Sequence, residues 1–345
     1  MNNSDSLFLR ALNKEKLPTP PVWYMRQAGR YMPEYRKVRK NFKNFLDMCK
    51  NPEVCCELAL QPINAFKLDA AILFSDILTI PDALGLGVEF IENEGPVFEN
   101  PVRSTSDITN LKTFDPESLH YVYEAVSNIK NELPENLPLI GFSGSPWTLA
   151  AYSIEGRSSK NFKKTINFVR SNKDEVHYFL SRLTDACFLY LRKQVQAGAD
   201  VIQIFDSWAN ILNSEELVEY SINYTKSLID ALKNDQVTAN TPVILFSRDP
   251  KCDTGTLINT SANCISLYWD MNKFDLDKAN GKIAIQGNLN PSVLLESKDV
   301  IKKETYKILE KFKDFPGYIF NLGHGITPNI DPENVKYLTE VVREF

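Results

Sequence analysis

"KIAIQGNLNP" (282–291) and "YIFNLGHGITPNIDP" (318–332) carry the same instruction twice. In each, an apolar run (Ile283–Ile285, then Tyr318–Phe320) passes into a Gly- and Asn-containing stretch that ends in a capping residue and a proline. Asn290 and Asp331 can accept hydrogen bonds from the first unpaired N–H groups of a helix. Pro291 and Pro332 suit the first helical position, where a missing N–H costs nothing. Each stretch therefore reads as a strand, a loop and a helix start. Six further apolar runs precede these two: Val22–Met25, Ala71–Phe74, Leu137–Phe142, Val201–Phe205, Val243–Phe246 and Ile265–Tyr268. They do not alternate with polar residues, as expected of parallel strands covered on both faces by helices. Helical periodicity lies between them, for example at Val176, Phe179, Leu180, Leu183, Cys187 and Leu191, and at Leu217, Tyr224, Leu228 and Leu232. Eight such units in 345 residues predict an α/β fold, a single (β/α)8 TIM barrel spanning residues 1–345 as one domain. A doubly wound open sheet built from the same units is the alternative. The wide gap between strands 2 and 3 contains "LGVEFIENEGPVFENPV" (86–102), which predicts an inserted hairpin turning at Asn93–Gly95.

Composition narrows the class. The chain is 43% hydrophobic and 24% charged, with a net charge of −5, ordinary values for a globular enzyme. No apolar run approaches the ~18 residues of a membrane span, and the start lacks the basic-then-apolar order of a signal peptide. A cytoplasmic protein without a membrane partner is expected. Acidic net charge and the lack of a long basic run argue against nucleic-acid binding. The six cysteines show no CxxC spacing and read as reduced, packed thiols.

Against that acidic background, Arg26–Lys40 holds six cations and one acid, Glu34. In a barrel, function gathers where strands end. Those positions are Arg26, Asp76, Ser143, Asp206 with Ser207, Ser247, Asp270, Gln286 with Asn288, and Asn321 with His324, interspersed with glycines. Arg26 and Arg30 are four apart, so a helical turn would aim both at one cavity. A purely structural role would pair Arg26 with a core acid such as Asp76. Arg36, Lys37, Arg39 and Lys40 read as a solvated helix face.

"MRQAGRYMPEYR" (25–36), "FSDIL" (74–78), "GFSGSPWTLAAYSIEG" (141–156), "QIFDSWA" (203–209), "QGNLNP" (286–291) and "FNLGHGI" (320–326) together resemble the uroporphyrinogen decarboxylase family. The resemblance implies a TIM barrel, a homodimer, and a reaction without metal or organic cofactor. That reaction removes four acetate carboxyls from uroporphyrinogen III, giving coproporphyrinogen III in haem and related tetrapyrrole synthesis. The substrate bears eight carboxylates, which explains a local surplus of arginines in an acidic protein, since the guanidinium fork binds carboxylates bidentately.

The family pattern implies substrate contacts from Arg26, Gln27, Ala28, Gly29 and Arg30, with Gly29 allowing close backbone approach. It assigns Asp76 to pyrrole N–H groups, and Tyr152, Ser207 and His324 to substrate carboxylates. Asp76 and Arg26 are the catalytic candidates, although the very high pKa of arginine makes it a reluctant proton donor. Phe142 suits either the tetrapyrrole face or the core. Three positions depart from the pattern: Tyr268 stands where the family commonly has aspartate, and Asn290 and Asn210 replace aspartate and glycine. The rival reading is a corrinoid- or thiol-dependent methyltransferase on a related barrel. It requires a His-x-Cys zinc pair, and no cysteine stands two residues after any histidine here. A non-catalytic tetrapyrrole-binding protein is the remaining alternative, disfavoured by an acid at Asp76, because pure carboxylate capture favours a wholly cationic pocket.

Overall fold

In the computed structural model, which describes residues 6–91, 94–249, 252–271 and 273–345, the apolar runs become one parallel sheet. Its strands are β1 (Ala71–Ile72), β4 (Leu139–Gly144), β5 (Val201–Asp206), β6 (Val243–Ser247), β7 (Cys264–Leu267), β8 (Ala284–Gln286) and β9 (Tyr318–Ile319), paired in that order. β4, β6 and β7 are buried at every residue, which is why they read as continuous apolar runs. β2 (Val88–Ile91) and β3 (Gly95–Phe98) form a separate antiparallel pair, from Val88 opposite Phe98 to Ile91 opposite Gly95. Asn93, expected in the turn, lies outside the described residues.

The sheet curls so that its two ends meet at Val22. Val22 bridges Phe320 in parallel sense, and its carbonyl accepts from Asp69 N at 2.8 Å, just before β1. The Asp69 carboxylate in turn accepts from Val22 N at 2.6 Å. The arrangement is barrel-like. The expectation of a strand over Val22–Met25 fails after its first residue, for a local reason. Tyr24 N donates to Gln27 Oε1 (3.3 Å) and Met25 N to Asn321 Oδ1 (3.1 Å), so side chains replace the neighbouring strand as partners. Burial made the run apolar without making it a strand.

Helices cover the outside. Lys173–Gln196 buries Val176, Phe179, Leu180, Leu183, Cys187 and Leu191, the predicted stripe. Asp331 caps Pro332–Glu344 by accepting from Glu333 N at 2.9 Å. Asn290 also caps, accepting from Ser292 N at 3.0 Å, but it opens only a 3-10 turn, Pro291–Leu295. The long helix Lys298–Phe312 starts anew after Ser297. The six cysteines are unpaired and buried, and among the described residues no helix is long and apolar enough to cross a membrane.

Candidate active site

The loops that leave Val22 and β9 are clamped together, and the clamp aims Arg26. Met25 N donates to the Asn321 side chain, while Ile326 N donates to Met25 O at 3.0 Å. Between these ties Arg26 adopts φ +59°, a left-handed conformation uncommon for a residue with a Cβ and found preferentially at functional sites. A Cβ added to Gly325 would fall 2.4 Å from Arg26 Cδ, so the arginine stem lies directly on that glycine. A Cβ on Gly323 would fall 2.4 Å from Trp269 N. The glycines flanking His324 are thus required by Arg26 on one side and Trp269 on the other.

Asp76 follows β1. Its Oδ1 accepts from Leu78 N at 2.8 Å, and no ion pair joins it to Arg26 among the described residues. The side chain still meets solvent, yet protein surrounds it closely enough that burial pushes its carboxyl up to about 6. The Leu78 N–H and the Arg26 charge only partly oppose that rise. Arg26 is therefore near Asp76 without neutralising it, and the simple structural pairing is not what the chain adopts.

Tyr152 lies in the helix Pro146–Glu155, its ring 5.7 Å from Trp208 and 5.9 Å from Phe162. Burial raises its hydroxyl above the ordinary range, and it senses the charges of Asp76, Arg26 and Arg248. His324 packs edge-on to Phe246, Tyr268 and Trp269 at 6.0–6.4 Å. Burial, reinforced by Arg26 and Arg248, pushes it down to about 3, so its imidazole is neutral at physiological pH. A cleft of about 450 Å³ opens beside His324, lined by Trp269, Asn290, Pro291, Leu295 and Gly325 among others.

Other predicted residues play different parts. Gln27 is fully buried; besides accepting from Tyr24 N, its side chain donates to Ala70 O at 3.3 Å, tying this loop to β1. Ala28 and Gly29 are half-buried, and Gly29 has an ordinary backbone, with space for a Cβ at normal contact distance. No helical turn joins Arg26 to Arg30. Arg30 is exposed, and its charge is felt at Tyr35 rather than at Asp76, Tyr152 or His324. Arg36, expected on a solvated face, is exposed but donates to the carbonyls of Arg30 (2.8 Å) and Tyr31 (2.9 Å), bracing the loop. Ser207 is half-buried just past β5, whereas adjacent Asp206 is buried beneath hydroxyls of Ser145 (2.7 Å), Thr148 (3.1 Å) and Ser221 (2.6 Å). Gln286 joins Trp23 Nε1 (2.8 Å) to Ser266 (2.9 Å) inside the barrel-like core. Phe142 is buried against Phe205.

One charged neighbour escapes the strand-end rule. Arg248 directly follows β6, which runs one residue beyond its apolar stretch, so the rule selects buried Ser247 instead. Its guanidinium lies 5.7 Å over Trp208 and 5.4 Å over Tyr268. Among the described residues, no group of three or more His, Cys, Asp or Glu is placed to hold a metal ion.

The geometry can be set beside known proteins. A family model described as uroporphyrinogen decarboxylase (URO-D) matches residues 3–345. A curated uroporphyrinogen decarboxylase from Legionella pneumophila (strain Paris) is 46% identical over 344 residues, 99% of this chain and 97% of that protein. One from Alcanivorax borkumensis is 47% identical over 340 residues, 98% and 96% respectively. Among solved structures, a methyltransferase from Methanosarcina mazei superposes with TM-score 0.78 over 99% of both chains at 20% identity, a likeness of fold alone.

Proposed function

The chain belongs to the uroporphyrinogen decarboxylase family, a carboxy-lyase family of tetrapyrrole biosynthesis, and on that premise we propose how its residues serve the reaction. The protein acts on uroporphyrinogen III, removing its four acetate carboxyls to give coproporphyrinogen III. It does so as a cytoplasmic homodimer of single-domain (β/α)8 barrels, with the β2–β3 hairpin inserted between the second and third barrel strands. The methyltransferase alternative is not favoured, despite the shared fold.

A pyrrole acetate resists decarboxylation because a carbanion beside an electron-rich ring is poor. Protonating the ring carbon next to nitrogen turns the ring into an iminium-like electron sink. The carbon–carboxyl bond then breaks toward the ring and carbon dioxide departs. A proton added at the exocyclic carbon and one returned from the ring restore the pyrrole. Net, each acetate takes up one proton and becomes a methyl group. The substrate thus supplies the electron sink that an organic cofactor supplies elsewhere.

The observation that carries this reading is Asp76, a closely enclosed carboxylate that no ion pair neutralises among the described residues. Aimed at pyrrole N–H groups, it attracts the ring more strongly as positive charge develops, which is differential transition-state binding. Arg26 holds a carboxylate beside it. Neutral His324, Tyr152 and Ser207 donate hydrogen bonds to others. Gln27, through its ties to Tyr24 and Ala70, shapes the loop that Ala28, Gly29 and Arg30 complete.

Anaerobic incubation with uroporphyrinogen III, followed by chromatography of the products, tests the reading directly. Turnover should persist after exhaustive chelation and without any added cofactor. Activity that disappears on chelation and returns with zinc or a cobalamin would favour the methyltransferase reading.

The pH profile reflects the two shifted groups. Ionised Asp76 is the active form and its carboxyl is raised to about 6, so kcat/KM should fall about tenfold per pH unit below that value. His324, near 3, stays neutral through the same range. The acid limb should therefore survive in the His324→Gln variant, whatever activity that variant retains. A limb that vanishes with the histidine would assign the titration to His324 instead.

A further inference from the structure

We infer that Arg248 is a substrate-positioning residue that grips a carboxylate the tetrapyrrole keeps through all four steps, from the side of the mouth opposite Arg26. The inference rests on the decarboxylase reading. Counting from Val22 around the sheet, through β1, β4 and β5, β6 occupies the fifth place of eight, directly across from the loop that carries Arg26. Both nevertheless border the same residues: Arg248 lies over Trp208 and Tyr268, whose rings pack against Tyr152 and His324, and Arg26 lies on Gly325 next to His324.

Arg248 is held in place by contacts that leave its donors unused. Its backbone N–H donates to Asp206 O at 3.0 Å, across from β5. Its guanidinium rests near the faces of Trp208 and Tyr268. Ring faces attract the cation but do not engage the N–H groups at its edge, which lie in the guanidinium plane. Among the described residues, none of those N–H groups has a hydrogen-bond or ion-pair partner in the protein. Asp206, whose carbonyl accepts from the Arg248 backbone, has its carboxylate already occupied by three hydroxyls. A half-buried cation, stacked on two rings and without an ion-pair partner among the described residues, is prepared for an anion.

These contacts define the ligand chemistry. The ring undergoing reaction sits at Asp76, near Arg26, so the group reaching Arg248 belongs to a different ring. Each ring must react in turn. A carboxylate present in every cycle anchors each of them equally, whereas an acetate would be lost as the reaction advances. Tyr268, the departure from the family pattern, then has a use: it exchanges a carboxylate that would neutralise Arg248 for a ring face that holds it and leaves its charge for the substrate.

The test compares Arg248→Gln with wild type. Affinity for coproporphyrinogen III, which has only the retained carboxylates, is titrated directly, and kcat and KM are measured for the substrate and for isolated partly decarboxylated intermediates. Product Kd should rise roughly 10- to 100-fold, the range for losing hydrogen bonds to a charged group. KM should rise by a similar factor for every intermediate, with kcat within about threefold of wild type. Arg248→Lys, which keeps the charge and loses the fork, should fall between the two and serves if Arg248→Gln does not fold. Unaltered product affinity in a folded variant would overturn the assignment, as would a kcat loss above tenfold at constant affinity. Wild-type protein that fails to decarboxylate the substrate would overturn the decarboxylase reading itself, an outcome distinct from either.

Discussion

Arg26→Lys is expected to lower kcat/KM by roughly 100-fold or more, equivalent to about 2.7 kcal/mol of transition-state stabilisation. The substitution keeps a positive charge, so the loss reports geometry. A guanidinium offers a carboxylate two parallel N–H bonds, while an ammonium offers a mobile point charge. The structure adds a second reason. The arginine stem lies on Gly325, where no side chain competes, and the left-handed backbone at φ +59° directs it there. A lysine stem can follow the same path but ends in a group that cannot present a planar edge. Both residues strain equally at that φ, so thermal stability should hardly change. Because the cation remains, the acid limb near pH 6 set by Asp76 should also remain. Steady-state kinetics with parallel melting curves check all three statements. Kinetics like those of wild type would return Arg26 to a structural role.

How much of the fold is legible in the sequence depends on what each signal measures. Strands buried on both faces leave an apolar run, so seven runs find their strands to within a few residues. The run Val22–Met25 is equally apolar because it is equally buried. Nothing in the sequence announces that Gln27 and Asn321 side chains take the N–H groups of Tyr24 and Met25. Asn290-Pro291 is a true cap, but a cap does not specify the length of the helix it starts.

The candidate site is legible where a residue's chemistry has no structural outlet. Asp76 and His324 stand out among small and apolar neighbours, and the glycines beside His324 exist to admit Arg26 and Trp269. Strand-end polarity alone cannot separate Asp206 from Ser207, since one is satisfied by three hydroxyls from other elements and the other is left half-exposed. Arg248 escapes because it lies one residue past the position that the apolar run indicates. Tyr268 reads as a lost charge in the sequence; in the structure its ring lies beneath a cation.

Asp76→Asn should separate binding from chemistry most sharply. Asparagine keeps the shape, and its oxygen can still accept from Leu78 N, but the negative charge is gone. If that charge stabilises a cationic ring, kcat should fall about 10²- to 10³-fold at all four acetates, the usual loss for one oriented electrostatic partner. Affinity for the polyanionic product should hold or improve, because a like charge has left the cavity. Stability provides an independent check. The folded protein holds the Asp76 proton more tightly than the unfolded chain does, so ionisation costs folding free energy as pH rises through about 4 to 6. Above that window the cost is fully present, on the order of 1–3 kcal/mol once contact with solvent is allowed for. Asparagine removes it. The variant should therefore melt at or above the wild-type temperature at pH 7.5, and this advantage should disappear near pH 4. A structural brace predicts the reverse, a lower melting temperature with activity falling in step. Normal turnover in a folded variant would remove Asp76 from the chemistry. A low kcat in a protein that is more stable and binds product as well as before is the signature of a charge kept for the transition state at the expense of the fold.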